Sequence, residues 1–282
     1  MFLFQSLPHL RILDLSHSKN LIGVPDLSEV PRLTDLNLKG CIELLQIHPS
    51  IGILRELLSL NLNNCKKLVL NLNIIFGISS LRTLSLPGCS KLHNSKMLMD
   101  PRHTQHLEKV DKNTNIIQLP TSSVYKLLML PFQFFSAPKP EDSLGLSWSS
   151  LSCIPYLHDL DISFCNLLRI HEIGNLRFLV KLNLGGNKFV TLPSTIKQLS
   201  NLQCLNLEHC KLLKYLPELP TIKEKPINRY HRRELYVFDC PKLSDTEHCY
   251  RMVFSWMTLN LEVTTPSFLS FLTFYVYTIH SN

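Results

Sequence analysis

The sequence predicts an α/β fold: a leucine-rich-repeat solenoid, or horseshoe, with a parallel concave sheet, one irregular insertion and a short C-terminal extension. Three observations predict it. Leucines alternate over short segments, as at Leu182 and Leu184, which is the pattern of a half-buried strand. That pattern recurs every 23 or 24 residues, the period of a solenoid turn. Each strand also ends on a small closing residue, usually cysteine. A turn of this kind buries its leucines only when a neighbour stacks on it, so the number of turns decides whether a core exists.

The turns follow in order. The first is Leu10, Leu13, Leu15 and Ser18. The second is Leu33, Leu36, Leu38 and Cys41, and the third Leu57, Leu60, Leu62 and Cys65. The fourth is Leu81, Leu84, Leu86 and Cys89. The repeat then stops, and residues 90–150 carry polar, turn-forming and breaker stretches. It resumes at Leu157, Leu160, Ile162 and Cys165. Next come Leu179, Leu182, Leu184 and Asn187, then Leu202, Leu205, Leu207 and Cys210. A degenerate turn at Leu235, Val237 and Cys240 is the last. The organisation expected is a first repeat block over 1–89, an insertion or linker over 90–150, a second block over 151–243 and a helix with an apolar tail over 244–282. The insertion is read as leaving the fourth and fifth strands adjacent, with a cryptic turn in IIQLPTSSVYKLLML as the other reading. Lys211–Arg233 is a second irregular, basic stretch, read as a solvated loop, with a surface for an acidic partner as the other reading. The first turn lacks a polar cap and is expected to be frayed.

Beyond Cys240 the stretch SDTEHCYRMVFSWM reads as a helix. Ser244 and Glu247 form a capping box, and Tyr250, Val253, Phe254 and Met257 share one face. The run from Pro266 to Ile279 has about 14 apolar or hydroxyl residues, short of the ~20 a membrane-spanning helix needs.

Alternation places leucine in the core and its neighbours on the concave face. The candidate protein-binding residues there are Asp14, Asn37, Lys39, Asn61, Asn63, Ser85, Asp159, Asp161, Lys181, Asn183, Asn206, Glu208 and His209. They are polar and mixed in sign, which suits a protein partner. The basic stripe expected of a nucleic-acid binder is absent, although the chain carries a net charge of +7. The closing residues Cys41, Cys65, Cys89, Cys165, Asn187, Cys210 and Cys240 are expected to form a buried ladder, with Asn and Cys filling one slot as hydrogen-bonding and small apolar groups. No disulfide is expected. Cys240, His248 and Cys249 lack the paired spacing of a metal site. Phosphate-cradling, zinc-protease and nucleophile-elbow motifs are absent from the sequence. No catalytic, cofactor-binding or metal residue is therefore assigned, and no enzyme activity is expected.

The turns DLNLKGCIELLQIHPSIGIL, LNLNNCKKL and LSLPGCSKL follow L-x-L-x-x-C-x-x-L, the first with a Pro/Ile/Leu return segment. Together with LNLEHCKLLKYLPELP and LYVFDCPKLSD, they resemble the repeat region of plant intracellular disease resistance proteins that join a Toll/interleukin-receptor domain, a nucleotide-binding domain and leucine-rich repeats (TIR-NBS-LRR). The resemblance covers roughly residues 5–257. It implies a non-catalytic recognition module that senses pathogen effectors or restrains receptor activation in the defense response. The implied partners are proteins: an effector, or the nucleotide-binding and signalling domains of a full-length receptor. The implied location is cytoplasmic or nucleo-cytoplasmic, with no membrane partner. The sequence shows no signal-peptide pattern and no N-glycosylation acceptor, as an intracellular setting would have it. The alternative is a fragment of an extracellular or membrane-anchored leucine-rich-repeat receptor, using the apolar tail as its anchor.

Overall fold

The computed structural model describes residues 7–93, 145–146, 154–170, 173–220, 234–243 and 256. The chain divides into a unit formed by Met1–Asn94 with Ser143–Asn282 and a second unit, Ser95–Asp142. Everything described below belongs to the first.

Its frame is one eight-stranded parallel sheet. The strands are Ile12–Asp14, Asp35–Asn37, Ser59–Asn61, Thr83–Ser85, Asp159–Asp161, Lys181–Asn183, Cys204–Asn206 and Glu234–Tyr236. Each is three residues long and pairs with the next without slippage, so its central residue sits on the centre of its neighbour. From the second strand on the central leucine is buried and its flanking residues are half-buried or exposed, which is the alternation a strand with one wet face requires. Leu182 is 1% exposed and Leu205 fully buried. In the first strand Leu13, like Leu10 and Leu15, is only partly buried against the core. That strand pairs on one side only.

The fourth and fifth strands are direct neighbours, with Leu84 opposite Leu160. Backbone bonds continue across the junction, from Leu86 N–H to the Asp161 carbonyl at 2.7 Å and from Gly88 N–H to the Ser163 carbonyl at 2.9 Å. On the far side of the same turn, Lys91–His93 pairs with Val69–Asn71 and Gly145–Leu146 pairs with Arg169–Ile170. Residues near both ends of the 90–150 stretch thus pair with the repeats on either side.

The return side of each turn is short and mostly not α-helical. Pro49–Ile53, Ile173–Asn175 and Ser194–Gln198 are 3-10 segments, and Leu72–Phe76 is a single α-helical turn. With so few residues between one strand and the next, a long helix has no room. Ile51, Ile75, Ile173 and Ile196 point inward from these segments and are at most 1% exposed. His48 caps the first segment, its Nδ1 accepting from the Ser50 N–H at 3.3 Å.

Trp256 lies in the segment read as a helix after the repeats. It is helical and 2% exposed, and its indole N–H donates to the Pro220 carbonyl at 3.1 Å. Tyr250, Val253, Phe254 and Met257, the face expected from the sequence, lie outside the described residues. So do Ser244, Glu247, the apolar tail, the cryptic-turn candidate and residues 221–233 of the basic stretch. Within the described part of that stretch, Lys211 is ion-paired to Asp239 and Glu218 to Lys197 at 3.3 Å.

Candidate protein-recognition face

Two rows of side chains run across the sheet on the face opposite the leucines. The register stacks Ile12, Asp35, Ser59, Thr83, Asp159, Lys181, Cys204 and Glu234 in one row. The other holds Asp14, Asn37, Asn61, Ser85, Asp161, Asn183, Asn206 and Tyr236. The sequence-assigned residues Asp159 and Lys181 stand in the first row. Asp14, Asn37, Asn61, Ser85, Asp161, Asn183 and Asn206 stand in the second. Lys39, Asn63, Glu208 and His209 fall just past the strand ends, in the turns.

The second row has a structural task that alternation alone does not reveal. Each Asp or Asn in it accepts the backbone N–H two residues ahead and closes the turn. Asp14 takes Ser16 at 2.8 Å, Asn37 takes Lys39 at 3.2 Å and Asn61 takes Asn63 at 3.1 Å. Asp161 takes Ser163 at 3.0 Å, Asn183 takes Gly185 at 3.1 Å and Asn206 takes Glu208 at 2.8 Å. Ser85 departs from the rule because the residue two ahead is Pro87, which has no N–H to give. One oxygen of each Asp or Asn is therefore engaged, and the remaining polar atoms face outward or link neighbours. Asn37 Nδ2 donates to Asp14 Oδ2 at 3.1 Å. Bonds from the Ser16 hydroxyl, the Ser16 N–H and Asn37 hold the Asp14 carboxyl below the usual carboxylate range.

Beyond these turns lies a third column. In all eight repeats the fourth residue after the central one is left-handed: His17, Gly40, Asn64, Gly88, Phe164, Gly186, His209 and Asp239, with φ between 55° and 74°. Glycine, asparagine, aspartate and histidine tolerate that region, while phenylalanine is strained there. Large and small alternate along the column. A Cβ on Gly40 would meet the His17 ring at 2.6 Å, and one on Gly186 would meet the Phe164 ring at 2.3 Å. Phe164 was not assigned any role from the sequence. The available signal was a bulky aromatic at a position filled elsewhere by Gly, Asn, Asp or His.

The closing residues form the ladder. Each thiol donates to a carbonyl of the preceding repeat: Cys41 to Leu15 at 3.1 Å, Cys65 to Leu38 at 3.2 Å and Cys89 to Leu62 at 3.2 Å. Cys165 reaches Leu86 at 3.1 Å across the insertion, Cys210 reaches Leu184 at 3.5 Å and Cys240 reaches Leu207 at 3.1 Å. Asn187 does the same with its amide, donating to Ile162 at 2.9 Å and to Leu184 at 2.8 Å, and its Oδ1 accepts from Leu167 N–H at 3.0 Å.

Burial pushes these thiols up, to about 12 for Cys65, Cys165 and Cys240 and about 11 for Cys210. Timed alkylation of the native protein is expected to label Cys204, half-buried in the first row, before Cys65, Cys89 and Cys210. The pH dependence has a definite sign. Unfolded thiols lose their protons near 9.0, whereas the folded ones keep them to 11 or 12, so the native state binds more protons in between. The ladder's contribution to stability is whole below pH 9 and is lost as pH rises through the folded values. Urea midpoints at pH 8 and pH 10 check this. Rapid labelling of all three ladder thiols, or an unchanged midpoint, would contradict it.

A solenoid of parallel strands closed by a buried Cys/Asn ladder defines a leucine-rich-repeat protein, a framework for protein interaction. No family model matches the chain. Among curated proteins, TMV resistance protein N of Nicotiana glutinosa is 29% identical, over 76% of this chain and 25% of its own length. Disease resistance protein RPS6 of Arabidopsis thaliana is 32% identical, over 77% of this chain and 18% of its own length. Over three quarters of its length the chain is thus similar to plant disease resistance proteins of the TIR-NBS-LRR class. It spans a quarter or less of these two relatives. Among solved structures, the Arabidopsis receptor kinase HAESA in complex with the peptide hormone IDA and the co-receptor SERK1 matches at a TM-score of 0.41 and 18% identity, over 76% of this chain and 31% of that one.

Proposed function

We propose that this chain is a non-catalytic protein-recognition module of a plant disease resistance protein, working in the cytoplasm or nucleo-cytoplasm. It senses pathogen effectors or restrains receptor activation through contacts with nucleotide-binding and signalling domains. The observation that carries the reading is the strand face: two largely polar rows, acidic except at Lys181, in unbroken register over eight strands, on a chain whose relatives are resistance proteins. Such a face offers hydrogen-bond donors and acceptors at strand spacing, which suits a folded protein surface. The second row is partly occupied by its turns, so the first row, Asp35, Ser59, Asp159 and Lys181, is the more adaptable half of the face. Among the described residues, no helix is long and apolar enough to cross a membrane.

The test is co-purification from infected and healthy plant tissue, beside a variant carrying Asp35→Ala, Asp159→Ala and Lys181→Ala. These residues are half-buried or exposed and lie outside the core, so the variant is expected to fold. A partner retained by the natural chain is expected to be lost by the variant. Equal recovery with both would remove the strand face as the recognition surface.

A further inference from the structure

We infer that the turn edge of the last four repeats is a second binding surface, which takes an extended acidic peptide segment bearing an aromatic side chain. It rests on no partner of the strand face and can be tested without one.

Phe164 is the one hydrocarbon side chain of the left-handed column, at φ 55°. Its backbone is strained, and its ring is not hidden, since the residue is 56% exposed. Other repeats make the same turn with glycine or asparagine, so the fold itself has no need of the ring. The ring lies across Gly186, where even a Cβ would collide with it. It therefore reaches past the sixth repeat to His209 of the seventh, with centroids 6.3 Å apart. His209 in turn meets Phe238 of the eighth edge-on at 6.0 Å. Phe238 is 43% exposed. The result is a continuous aromatic strip along the turns, half in water, in which a strained backbone and an exposed ring are set against ring-to-ring contacts alone. Exposed rings in such a strip are what binding anchors look like before they are covered.

The charges beside the strip set the sign of the occupant. Of the carboxylates at these turns, Asp239 is ion-paired with Lys211, whereas Asp161 and Glu208 accept hydrogen bonds from neutral donors. Asp239 accepts from His209 at 2.8 Å and from Lys211, and Glu208 accepts from Asn206 at 3.2 Å. Lys188 and Lys242, at the same turns, are exposed and make no ion pair among the described residues. A chain of net charge +7 adds to the preference for acid. An extended segment could follow the turns from repeat to repeat, placing a ring against the strip and carboxylates against the lysines.

Fluorescence anisotropy on the full chain tests this with three labelled synthetic peptides: Ac-EEFEE, Ac-EEAEE and Ac-KKFKK. Saturable binding of Ac-EEFEE is expected, with each of the other two weaker by about tenfold or more. Phe164→Gly is the informative variant. Glycine suits φ 55°, so the melting temperature is expected to hold or rise while Ac-EEFEE affinity falls by about tenfold. Tyr156→Ser, an exposed ring elsewhere on the surface, is expected to leave binding unchanged. No saturable binding of Ac-EEFEE, equal binding of the three peptides, or undiminished binding by Phe164→Gly overturns the inference. Loss of the strand-face partner has no bearing on any of these outcomes.

Discussion

Leu182→Ala is expected to lower the unfolding free energy by about 2–5 kcal/mol, and Asn183→Ala, one residue further on, by only about 0.5–1.5 kcal/mol. Leu182 is 1% exposed and centred between Leu160 and Leu205 in the sheet. Truncating it removes buried apolar surface and leaves a cavity that the two flanking repeats, each held by its own backbone pairing, can close only in part. Asn183 is half-buried on the other face, and its described bond is the one from Gly185 N–H. Its loss removes about one hydrogen bond and opens no cavity in the leucine core. Urea unfolding of the two single variants measures the difference. Equal destabilisation would mean that the strand phase is wrong.

Asn187→Leu is expected to cost about 2–5 kcal/mol, although leucine is the commoner core residue in this chain. Asn187 is 2% exposed and serves carbonyls of Ile162 and Leu184 and the N–H of Leu167 at once. Leucine would take that partner from the buried Ile162 carbonyl and Leu167 N–H, and would leave the Leu184 carbonyl with the Cys210 thiol at 3.5 Å. Asn187→Cys is the instructive comparison. Six other repeats place a cysteine there and donate a single S–H bond to the repeat before. The substitution should retain one donation toward Ile162, lose the acceptor for Leu167, and fall between the natural chain and Asn187→Leu in urea midpoint. An Asn187→Leu protein as stable as the natural one would show that the slot is filled by size alone.

The strand positions could be read from the sequence because period-two leucine, repeated at fixed spacing, admits one phase. Slipping by one residue would expose Leu36, Leu60, Leu84 and Leu160 together. The ladder was legible for the same reason: a cysteine recurring at one offset must meet one environment. The second row was harder. Asp and Asn in a strand look like surface groups, and only the N–H two residues on shows that they close turns. Ser85 before Pro87 was a written clue to that, since the exception falls where the donor is missing. The left-handed column stayed hidden because Gly40, Gly88 and Gly186 alternate with residues as unlike as His17, Asn64 and Phe164, and backbone handedness leaves no common side chain to find. The aromatic strip was out of reach because Phe164 and His209 are not in adjacent repeats. They meet only because Gly186 has no side chain to keep them apart.

The direct pairing of Leu84 with Leu160 separates the order of the sheet from the length of the chain. Joining two strands through a connection about three times the usual length adds only about 1 kcal/mol of closure entropy, because that term grows with the logarithm of length. Among the described residues, the bonds across the seam, such as those from Leu86 to Asp161 and from Cys165 to Leu86, are made by residues inside the repeats. The fourth turn is therefore a socket. Residues plugged in there can lengthen, shorten or be exchanged for unrelated sequence while the sheet on either side keeps its register.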